Sequence, residues 1–257
     1  MKFLFKANDM RYFIGNWKMF GVPKSIKIID KINFFVRRDK NRNKYRVIIT
    51  PPLTLLGSFA KHCKGKAINI GAQNCFDKDL FSSNTGAVSP YMIKKSGSKF
   101  IIIGHSDNRL EGDNNLILKN KVKFALKNNL KVIFCIGENK KQKKNKKTFI
   151  TLKQQLSKVL EKKFNKQNLI IAYEPIWSIG TGTIPSGEDL LNNTVFIKNT
   201  LKKIFNSKKT PPVLYGGSVG SDNIGKFSKI KIIDGFLIGG ASKSSKKFID
   251  IIKNYYR

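Results

Sequence analysis

The chain has 257 residues, of which 40% are hydrophobic and 26% are charged, and this globular composition excludes a wholly disordered protein. No run of about 18 apolar residues occurs, which excludes a membrane-spanning helix, and the apolar stretch near the start is too short for a secretory signal. The net charge of +34 is of the size found in proteins that bind nucleic acid, but it excludes no fold.

Short apolar runs alternate along the chain with longer stretches of helical periodicity. The runs are rich in Ile, Val and Phe and show little polar alternation, as fully buried parallel strands do. Eight of them are predicted as strands, at residues 12–16, 46–50, 67–71, 100–104, 131–136, 169–174, 212–216 and 234–238.

The stretches between these strands carry apolar residues at the spacing of a helix face. The stripes consist of Ile26, Ile29, Ile32 and Val36 after the first strand, Leu116, Val122 and Ala125 after the fourth, Leu152, Leu156, Val159 and Leu160 after the fifth, and Leu191, Val195 and Leu201 after the sixth. The lysine-rich segment 139–147 has no apolar residue and is predicted as a solvated loop before the fifth helix.

Each of the eight predicted strands is followed by a helix or a helix-sized connection. Alternating strands and helices imply a parallel sheet, and eight such units in 257 residues predict a single closed (β/α)8 barrel of the α/β class. The alternative is a doubly wound open sheet, which would carry a glycine-rich dinucleotide turn after its first strand. The segment 15–19, Gly-Asn-Trp-Lys-Met, is not such a turn, and no linker divides the chain.

The predicted barrel occupies residues 11–257, and residues 1–10 are predicted as a flexible N-terminal extension. Met10 offers an alternative start of translation. The three cysteines, Cys63, Cys75 and Cys135, are an odd number without C-x-x-C spacing. They are typical of reduced thiols, so we expect a cytoplasmic protein with no disulfide framework and no metal site.

The distribution of charge argues against a specific nucleic-acid partner. Of the 50 basic residues, 43 are lysine and 7 are arginine, and they are spread over the whole length. Base recognition and bidentate phosphate contacts favour arginine. A basic surface on a soluble protein is therefore the favoured interpretation, and non-specific attraction to nucleic acid is the alternative.

Functional groups of such a barrel gather at the C-terminal ends of its strands. The groups at those ends are Asn16 and Lys18 after the first strand, His105, Ser106 and Asp107 after the fourth, Glu174 at the end of the sixth, and the glycine-rich turns 216–219 and 239–242 after the last two. If the barrel closes, these groups converge on one face.

Each of these groups has a structural alternative. His105 alone is more often a hydrogen-bonded structural residue, Lys18 is one of 43 lysines, and the glycines can serve as tight turns. Glu174 argues for function, because it ends an apolar run where a carboxylate is costly to bury, and neighbouring apolar residues would raise its pKa. Two glycine-rich turns after the last two strands match a phosphate site made of backbone N–H groups.

A general base, a neutral electrophile, a cation and a phosphate site suit proton abstraction next to a carbonyl on a small phosphorylated substrate. The sequence contains no GxxxxGKS/T loop and no GxSxG elbow, and its cysteines and histidines form no metal-ligand pattern. We therefore expect chemistry carried by side chains alone, without a metal or a cofactor.

Seven segments resemble the sequence motifs of the triosephosphate isomerase family, and they occur in the family's order. They are YFIGNWKM at 12–19, GAQN at 71–74, IGHS at 103–106, FCIGE at 134–138, AYEPIWSIGTG at 172–182, YGGSV at 215–219 and GFLIGGAS at 235–242. Any one motif is weakly specific, but seven in order, within a resemblance that covers residues 11–256, are very specific.

The resemblance implies interconversion of dihydroxyacetone phosphate and D-glyceraldehyde 3-phosphate in glycolysis and gluconeogenesis, by a homodimer without a cofactor. By motif, Glu174 is implied to take the proton from carbon, and neutral His105 to move protons between the substrate oxygens. A helix that begins just after His105 would favour its neutral form. Lys18 and Asn16 are implied to stabilise the enediolate and to hold the substrate. The backbone N–H groups implied to bind the phosphate are those of Gly180, Ser218, Gly239 and Gly240.

Segment 175–183 matches the mobile lid for which the family is a standard example, and closure of the lid would exclude water. Trp177 is implied to anchor the start of the lid through Tyr173 and Glu138, and Cys135 is assigned to packing. The other supporting positions implied by motif are Ser106, Asp107, Tyr215 and Thr85.

Several positions depart from the family pattern. Asp107 replaces a glutamate and is one methylene shorter. Pro185 has no N–H to give to Tyr215 when the lid closes. Ala87 and Asn108 stand where the family has the acidic and basic halves of a contact between subunits.

Two other classes of function are alternatives. A barrel that had lost catalysis could use its charge to bind nucleic acid. The candidate catalytic residues are all present in the sequence, which argues against this class. Another phosphosugar enzyme on the same barrel is disfavoured by the lid motif at 175–182.

Overall fold

The computed structural model of the protein describes residues 10–257. The predicted N-terminal extension lies, apart from residue 10, outside these described residues. The strands are β1 Arg11–Asn16, β2 Tyr45–Thr50, β3 Ile68–Ala72, β4 Phe100–Ile103, β5 Lys131–Ile136, β6 Leu169–Tyr173, β7 Val213–Tyr215 and β8 Gly235–Ile238. Each strand pairs in parallel with its neighbours in sequence, and β8 pairs with β1, so the sheet closes. The closed (β/α)8 barrel is confirmed, and the open-sheet alternative is wrong.

The strand boundaries fall within one residue of the predicted ones. β3 starts at Ile68 and not at residue 67, because the Ala67 N–H donates to the Asn33 side chain at 3.1 Å and not to a neighbouring strand. β6 ends at Tyr173, so Glu174 stands at the start of the following loop.

Helices or short helical turns follow the strands. The α-helices are α1 Ile26–Arg38, α2 Leu53–His62, α3 Pro90–Lys95, α4 Ser106–Leu110, α5 Asn115–Lys127, α6 Lys140–Lys144, α7 Thr148–Val159, α8 Gly187–Phe205, α9 Ile224–Ser228 and α10 Ser245–Tyr255. Among residues 10–257, no helix is both long enough and apolar enough to cross a membrane.

Two details of the helical predictions are wrong. The lysine-rich segment 139–147 contains the helix α6, because Asn139 and Gln142 cap its first turn reciprocally through bonds of 2.8 Å. Leu116 is 68% exposed and does not belong to the buried stripe of α5. It lies in the first turn of that helix, whose buried face is formed by Leu118 together with the predicted Val122 and Ala125.

The strand side chains alternate between two cores, one inside the barrel and one between the strands and the helices. The inner core consists of Ile14, Ile48, Phe100, Ile102, Ile133, Cys135, Ile170, Ala172, Leu214 and Leu237. Asn16 follows Ile14 by two residues, and Glu174 follows Ala172 by two. The same alternation that fills the barrel therefore directs both polar side chains toward its axis at the C-terminal end.

A buried ion pair joins the N-terminal ends of three strands. Asp234, directly before β8, accepts hydrogen bonds on Oδ2 from the Lys198 ammonium of α8 and from the Val213 N–H of β7, both at 2.8 Å. Its main-chain carbonyl accepts from the Tyr12 N–H of β1 at 3.0 Å. Its Oδ1 is buried and has no hydrogen-bond partner among residues 10–257. Gly235 follows with φ +152°, where a Cβ would lie 2.1 Å from the Tyr12 carbonyl oxygen, so only glycine fits.

Candidate active site

The predicted substrate groups meet in one cavity of about 420 Å³ at the C-terminal ends of the strands. Asn16 and Lys18 reach it from the end of β1. His105 reaches it from the loop after β4, and Glu174 from the loop after β6. The predicted phosphate-binding residues that also line it are Gly180, Ser218, Gly239 and Gly240. The structure therefore brings all eight predicted substrate contacts together.

Glu174 is 3% exposed, and its backbone N–H donates to the Ile136 carbonyl at 2.7 Å, which ties it to β5. Burial raises the pKa of its carboxyl group. The neighbouring His105 ring, a hydrogen bond from the Cys135 thiol and the charge of Lys18 oppose that rise. A carboxylate with a raised pKa is better matched to proton transfer near neutral pH than an ordinary one.

The hydrogen bonds of His105 define which ring nitrogen carries its proton. His105 is the N-cap of α4, and its Nδ1 accepts the Asp107 backbone N–H at 3.1 Å. A ring nitrogen that accepts an N–H is unprotonated, so the neutral ring carries its proton on Nε2. Nε2 lies 3.5 Å from Oε1 of Glu174, and both residues are buried. An N–H donor thus stands beside the candidate base.

Lys18 is held in an unusual backbone conformation, with φ +53°. Its N–H donates to Asn16 Oδ1 at 3.0 Å, and its carbonyl accepts from Gln73 Nε2 at 2.9 Å. Its ammonium lies 3.1 Å from Asp107 Oδ2, so the shorter aspartate still reaches the lysine. Gln73 has no predicted role, because nothing in the sequence beyond its motif shows that it fixes Lys18.

The phosphate end of the cavity is built from glycine-rich turns. Gly239 precedes a 3-10 helix, Gly240–Lys243, and the first N–H groups of a helix have no partner within it. Ser218 faces the same space from the turn after β7. In that turn a Cβ on Gly216 would lie 2.7 Å from Cγ of Glu174, so the position of the carboxylate requires glycine there. The Ser218 N–H donates to the Ser178 hydroxyl at 3.3 Å in this structure, so the first N–H groups of the 3-10 helix are the part of this end that suits an anion.

The predicted lid, 175–183, is fastened at its start. The Trp177 indole N–H donates to Glu138 at 2.8 Å, and the Tyr173 hydroxyl donates to both Glu138 oxygens at 3.2 Å. The ammonium of Lys143, in α6, lies 3.6 Å from the centre of the Trp177 ring as a cation–π contact. Lys143 could not be predicted from the sequence, because one lysine in a lysine-rich segment carries no distinguishing signal.

The tip of the lid is bonded to the turn after β7. The Gly182 N–H donates to the Ser218 hydroxyl at 3.1 Å, and that hydroxyl donates to the Ser178 carbonyl at 2.7 Å. The Ser178 hydroxyl lies 2.9 Å from the Tyr215 hydroxyl. Tyr215 therefore contacts the first part of the lid in this structure, and this contact needs no N–H from Pro185.

Arg109 is a further residue that the sequence analysis missed. Its Nε donates to the Gly104 carbonyl at 2.7 Å, and its Nη2 donates to the Cys135 carbonyl at 2.8 Å. These bonds tie the end of β4 to β5 and so fix the loop that carries His105. Its only sequence signal was that arginine is rare in this chain, with 7 among 50 basic residues. Cys135 is fully buried, in agreement with packing.

Thr85 is exposed at the tip of the loop after β3, and it does not line the candidate active site of its own chain. Ser106 is buried as the first residue of α4. A second cavity of about 360 Å³ adjoins the site on the other side of Lys18 and His105. In the described part of the chain, no group of three or more His, Cys, Asp and Glu side chains is placed to hold a metal ion.

Comparison with known proteins places these residues in a family. The family model described as triosephosphate isomerase matches residues 11–255. The triosephosphate isomerase of Thermodesulfovibrio yellowstonii is 36% identical over 95% of this chain and 98% of its own length, and that of Buchnera aphidicola is 41% identical over 93% and 95%. The crystal structure of triosephosphate isomerase from Bartonella henselae superposes with a TM-score of 0.87 at 30% identity, covering 96% of this chain and 99% of that one. The chain therefore belongs to the triosephosphate isomerase family, the aldose–ketose isomerases of glycolysis.

Proposed function

We propose that the chain interconverts dihydroxyacetone phosphate and D-glyceraldehyde 3-phosphate through an enediolate, with Glu174 as the carbon base and His105 as the neutral proton carrier. The observation that carries the proposal is the single cavity in which a buried carboxylate, an imidazole N–H and the Lys18 ammonium meet beside a glycine-rich anion site. A small substrate with a carbonyl at one end and a phosphate at the other complements both halves of that cavity.

In this mechanism the substrate phosphate lies against the N–H groups around Gly239 and Gly240, which holds the carbonyl end near Glu174. Glu174 removes a proton from the carbon next to the carbonyl, and the carbonyl oxygen becomes an enediolate oxygen. The Lys18 ammonium stabilises the negative charge that develops there, and Asn16 helps to hold the substrate. The protonated Glu174 then returns the proton to the neighbouring carbon, which completes the exchange of aldose and ketose.

Between these two steps a proton must pass from one substrate oxygen to the other, and His105 carries it. The neutral ring gives its Nε2 proton to the oxygen that has become negative and takes a proton back from the neighbouring hydroxyl. The bond from the Asp107 N–H to Nδ1 supports this role, because it leaves the ring proton on Nε2, the nitrogen that lies beside Glu174.

Segment 175–183 acts as the lid of this site. The lid is anchored near its start at Trp177, and near its end Gly182 donates to Ser218. These two contacts support a segment that moves as a unit between two fixed ends. A closed lid excludes water, and this protects an enediolate phosphate from elimination of its phosphate.

The enzyme acts as a homodimer. Support comes from large apolar side chains exposed in the single chain, where Met19 is 98%, Phe81 77% and Leu80 52% exposed. The second cavity, beside Lys18, has room for the loop after β3 of a partner subunit, which is the loop that carries Thr85 at its tip. Such a contact would bury apolar surface and would place the loop next to the site of the other subunit.

The dimer is expected to tighten as salt is added. Residues 80–93, which include the loop, carry no charged side chain, so loop docking adds no ion pair that salt would weaken. Ala87 and Asn108 replace the acidic and the basic residue of the family contact, so neither position leaves an unpaired charge in the interface. The Asn108 side chain donates to Glu111 of its own chain at 3.3 Å. Each protomer carries a net charge of +34, and salt screens the repulsion between them. Sedimentation across a salt series measures the dissociation constant.

Two results would contradict this prediction. A dimer that loosens as salt rises would reveal attractive ion pairs in the interface, and a fully active monomer at micromolar concentration would remove the need for a partner.

Catalytic efficiency is expected to show the opposite response to salt. The substrate is a phosphate anion and the protein is strongly basic, so the field of the protein accelerates their encounter. Raising the ionic strength from about 0.01 to about 0.15 M shortens the range of that field and is expected to lower kcat/KM. Initial rates at fixed pH measure the change. A flat dependence would show that encounter is not steered or does not limit the rate.

A coupled assay that consumes the dihydroxyacetone phosphate formed from D-glyceraldehyde 3-phosphate tests the activity directly. Turnover of a different phosphosugar, with none of the triose phosphate, would favour another enzyme on the same barrel. We place the enzyme in the cytoplasm, with the other steps of glycolysis, and we assign it no specific nucleic-acid partner.

A further inference from the structure

Two adjoining cavities lie at the N-terminal ends of the strands, at the opposite end of the barrel from the active site. The larger, of about 500 Å³, lies between the end of α2, the start of β3, the end of α3 and the start of β4. The smaller, of about 460 Å³, lies beside α1 and shares Gly65 and Lys66 with the larger. We call this pair of cavities the basal groove.

The lining of the basal groove is rich in cations. Its cationic side chains are Arg37, Arg42, Lys61, Lys64, Lys66, Lys95 and Lys99. Among the described residues, no Asp or Glu lines it, whereas the active-site cavity holds one lysine together with Glu174 and Asp222. The difference in charge is therefore local and does not follow from the composition of the whole chain.

Several of these charges have no partner in the folded chain. Within residues 10–257, the ammonium groups of Lys61, Lys64 and Lys99 make no hydrogen bond and no ion pair. Lys66 is paired with Asp30 at 3.2 Å, and Lys95 lies 5.3 Å from the centre of an aromatic ring. Unpaired like charges around one cavity repel each other, and a bound anion would relieve that repulsion.

Helix ends account for only part of this cluster. Lys61 and Lys95 lie in the last turns of α2 and α3, where a cation complements the negative end of the helix dipole. Lys64, Lys66 and Lys99 lie outside any helix and have no such role. The helix dipoles therefore leave the lysines that the loops contribute unexplained.

We propose that the basal groove binds a short chain of phosphates, as found in inorganic tripolyphosphate and in the triphosphate of a nucleotide. Cavities of this size accept small ligands, and lysine and arginine are the side chains that hold phosphate. Within the described part of the chain no aromatic side chain lines the groove, so a base finds no stacking partner there and the phosphates are the groups recognised. Burial raises the pKa of the Cys63 thiol, which also lines the groove, to about 11, so that thiol stays protonated and the site binds without reacting.

The test is calorimetric titration of the whole enzyme with tripolyphosphate, in magnesium-free buffer of constant ionic strength. Saturating 2-phosphoglycolate, an analogue of the enediolate phosphate, keeps the active site occupied. The variant Lys64→Glu/Lys99→Glu is expected to weaken binding by at least roughly tenfold, because it reverses two charges beside the ligand. Lys153→Glu/Lys158→Glu, on exposed positions of α7, changes the net charge equally and is expected to stay within about twofold.

Two outcomes of this titration contradict the proposal. No binding to the wild type at a blocked active site removes the groove as a site, and equal weakening by the two double variants assigns the binding to diffuse charge. ATP is expected to bind within about threefold of tripolyphosphate. Much tighter binding of ATP, or of a single-stranded oligonucleotide with the same number of phosphates, would show recognition of bases. If the glutamate variant does not fold, Lys64→Gln/Lys99→Gln takes its place, with weakening again expected only in the groove.

Discussion

Replacement of Glu174 by glutamine is expected to lower kcat by roughly 10²- to 10⁴-fold, the usual contribution of a positioned general base. Glutamine keeps the size of the side chain but cannot accept a proton from carbon. The groups around Gly239 and Gly240 are untouched, so KM is expected to change much less than kcat. The coupled isomerase assay on the purified variant measures both constants.

A loss of folding cannot explain that result if the variant is as stable as the wild type. Burial raises the pKa of Glu174, so its charged form is costly in the folded state, and the neutral glutamine is expected to leave the melting temperature unchanged or higher. Because the pKa of Glu174 is raised, this base becomes protonated at a higher pH than an ordinary glutamate. The wild-type kcat/KM is therefore expected to fall as the pH drops through a pKa above the usual 4.5. Near-full activity of Glu174→Gln would overturn the assignment of the base.

His105→Ala is expected to lose activity while still binding a phosphorylated analogue.

The largest expected effect on stability is at the opposite end of the barrel, where Asp234→Ala is expected to lower the free energy of unfolding by about 3–5 kcal/mol. Lys198 is 5% exposed, so the substitution leaves its ammonium buried without a counter-charge, and it leaves the Val213 N–H without its acceptor. Chemical denaturation of the wild type and of Asp234→Ala under the same buffer conditions measures the difference.

A double-mutant cycle separates this pair from general damage to the core. Lys198→Met combined with Asp234→Asn removes both charges and keeps an acceptor for Val213, so it is expected to cost less than the sum of the two single changes. Glu161, whose side chain is 26% exposed, supplies the control at the surface, because Glu161→Ala breaks ion pairs with exposed lysines and is expected to leave stability nearly unchanged. Strict additivity, or an equal loss at Glu161, would contradict the role of burial.

The candidate site could be predicted almost completely from the sequence because of how a parallel barrel is built. Closure brings the C-terminal ends of all eight strands to one face, so residues far apart in the chain need only follow a strand to meet. Asn16, His105 and Glu174 each follow an apolar run that the sequence marks clearly, and each lines the cavity. Strand positions were predicted to within one residue for the same reason, since fully buried strands leave continuous apolar runs.

Contacts between side chains and distant backbone could not be predicted in this way. Gln73 fixes the backbone of Lys18 from 55 positions away, and Arg109 ties its loop to the Cys135 carbonyl of the neighbouring strand, β5. No local pattern marks such bonds, because a carbonyl acceptor is present at every residue. The contact of Lys143 with the lid was hidden by the same lysine-rich composition that suggested an open loop.

The sequence by itself determined the alternation of strand and helix, the order of the motifs and the residue types at the strand ends, because these depend on periodicity and local chemistry. Only the tertiary structure decided which of the 43 lysines are buried, which are paired with a carboxylate and which have no counter-charge nearby. Lys198 is buried against a carboxylate, Lys18 stands in the active site and Lys64 lines the basal groove, although all three are the same residue type. The field at a lysine depends on what the fold places around it, and that arrangement is set by contacts between residues far apart in the chain.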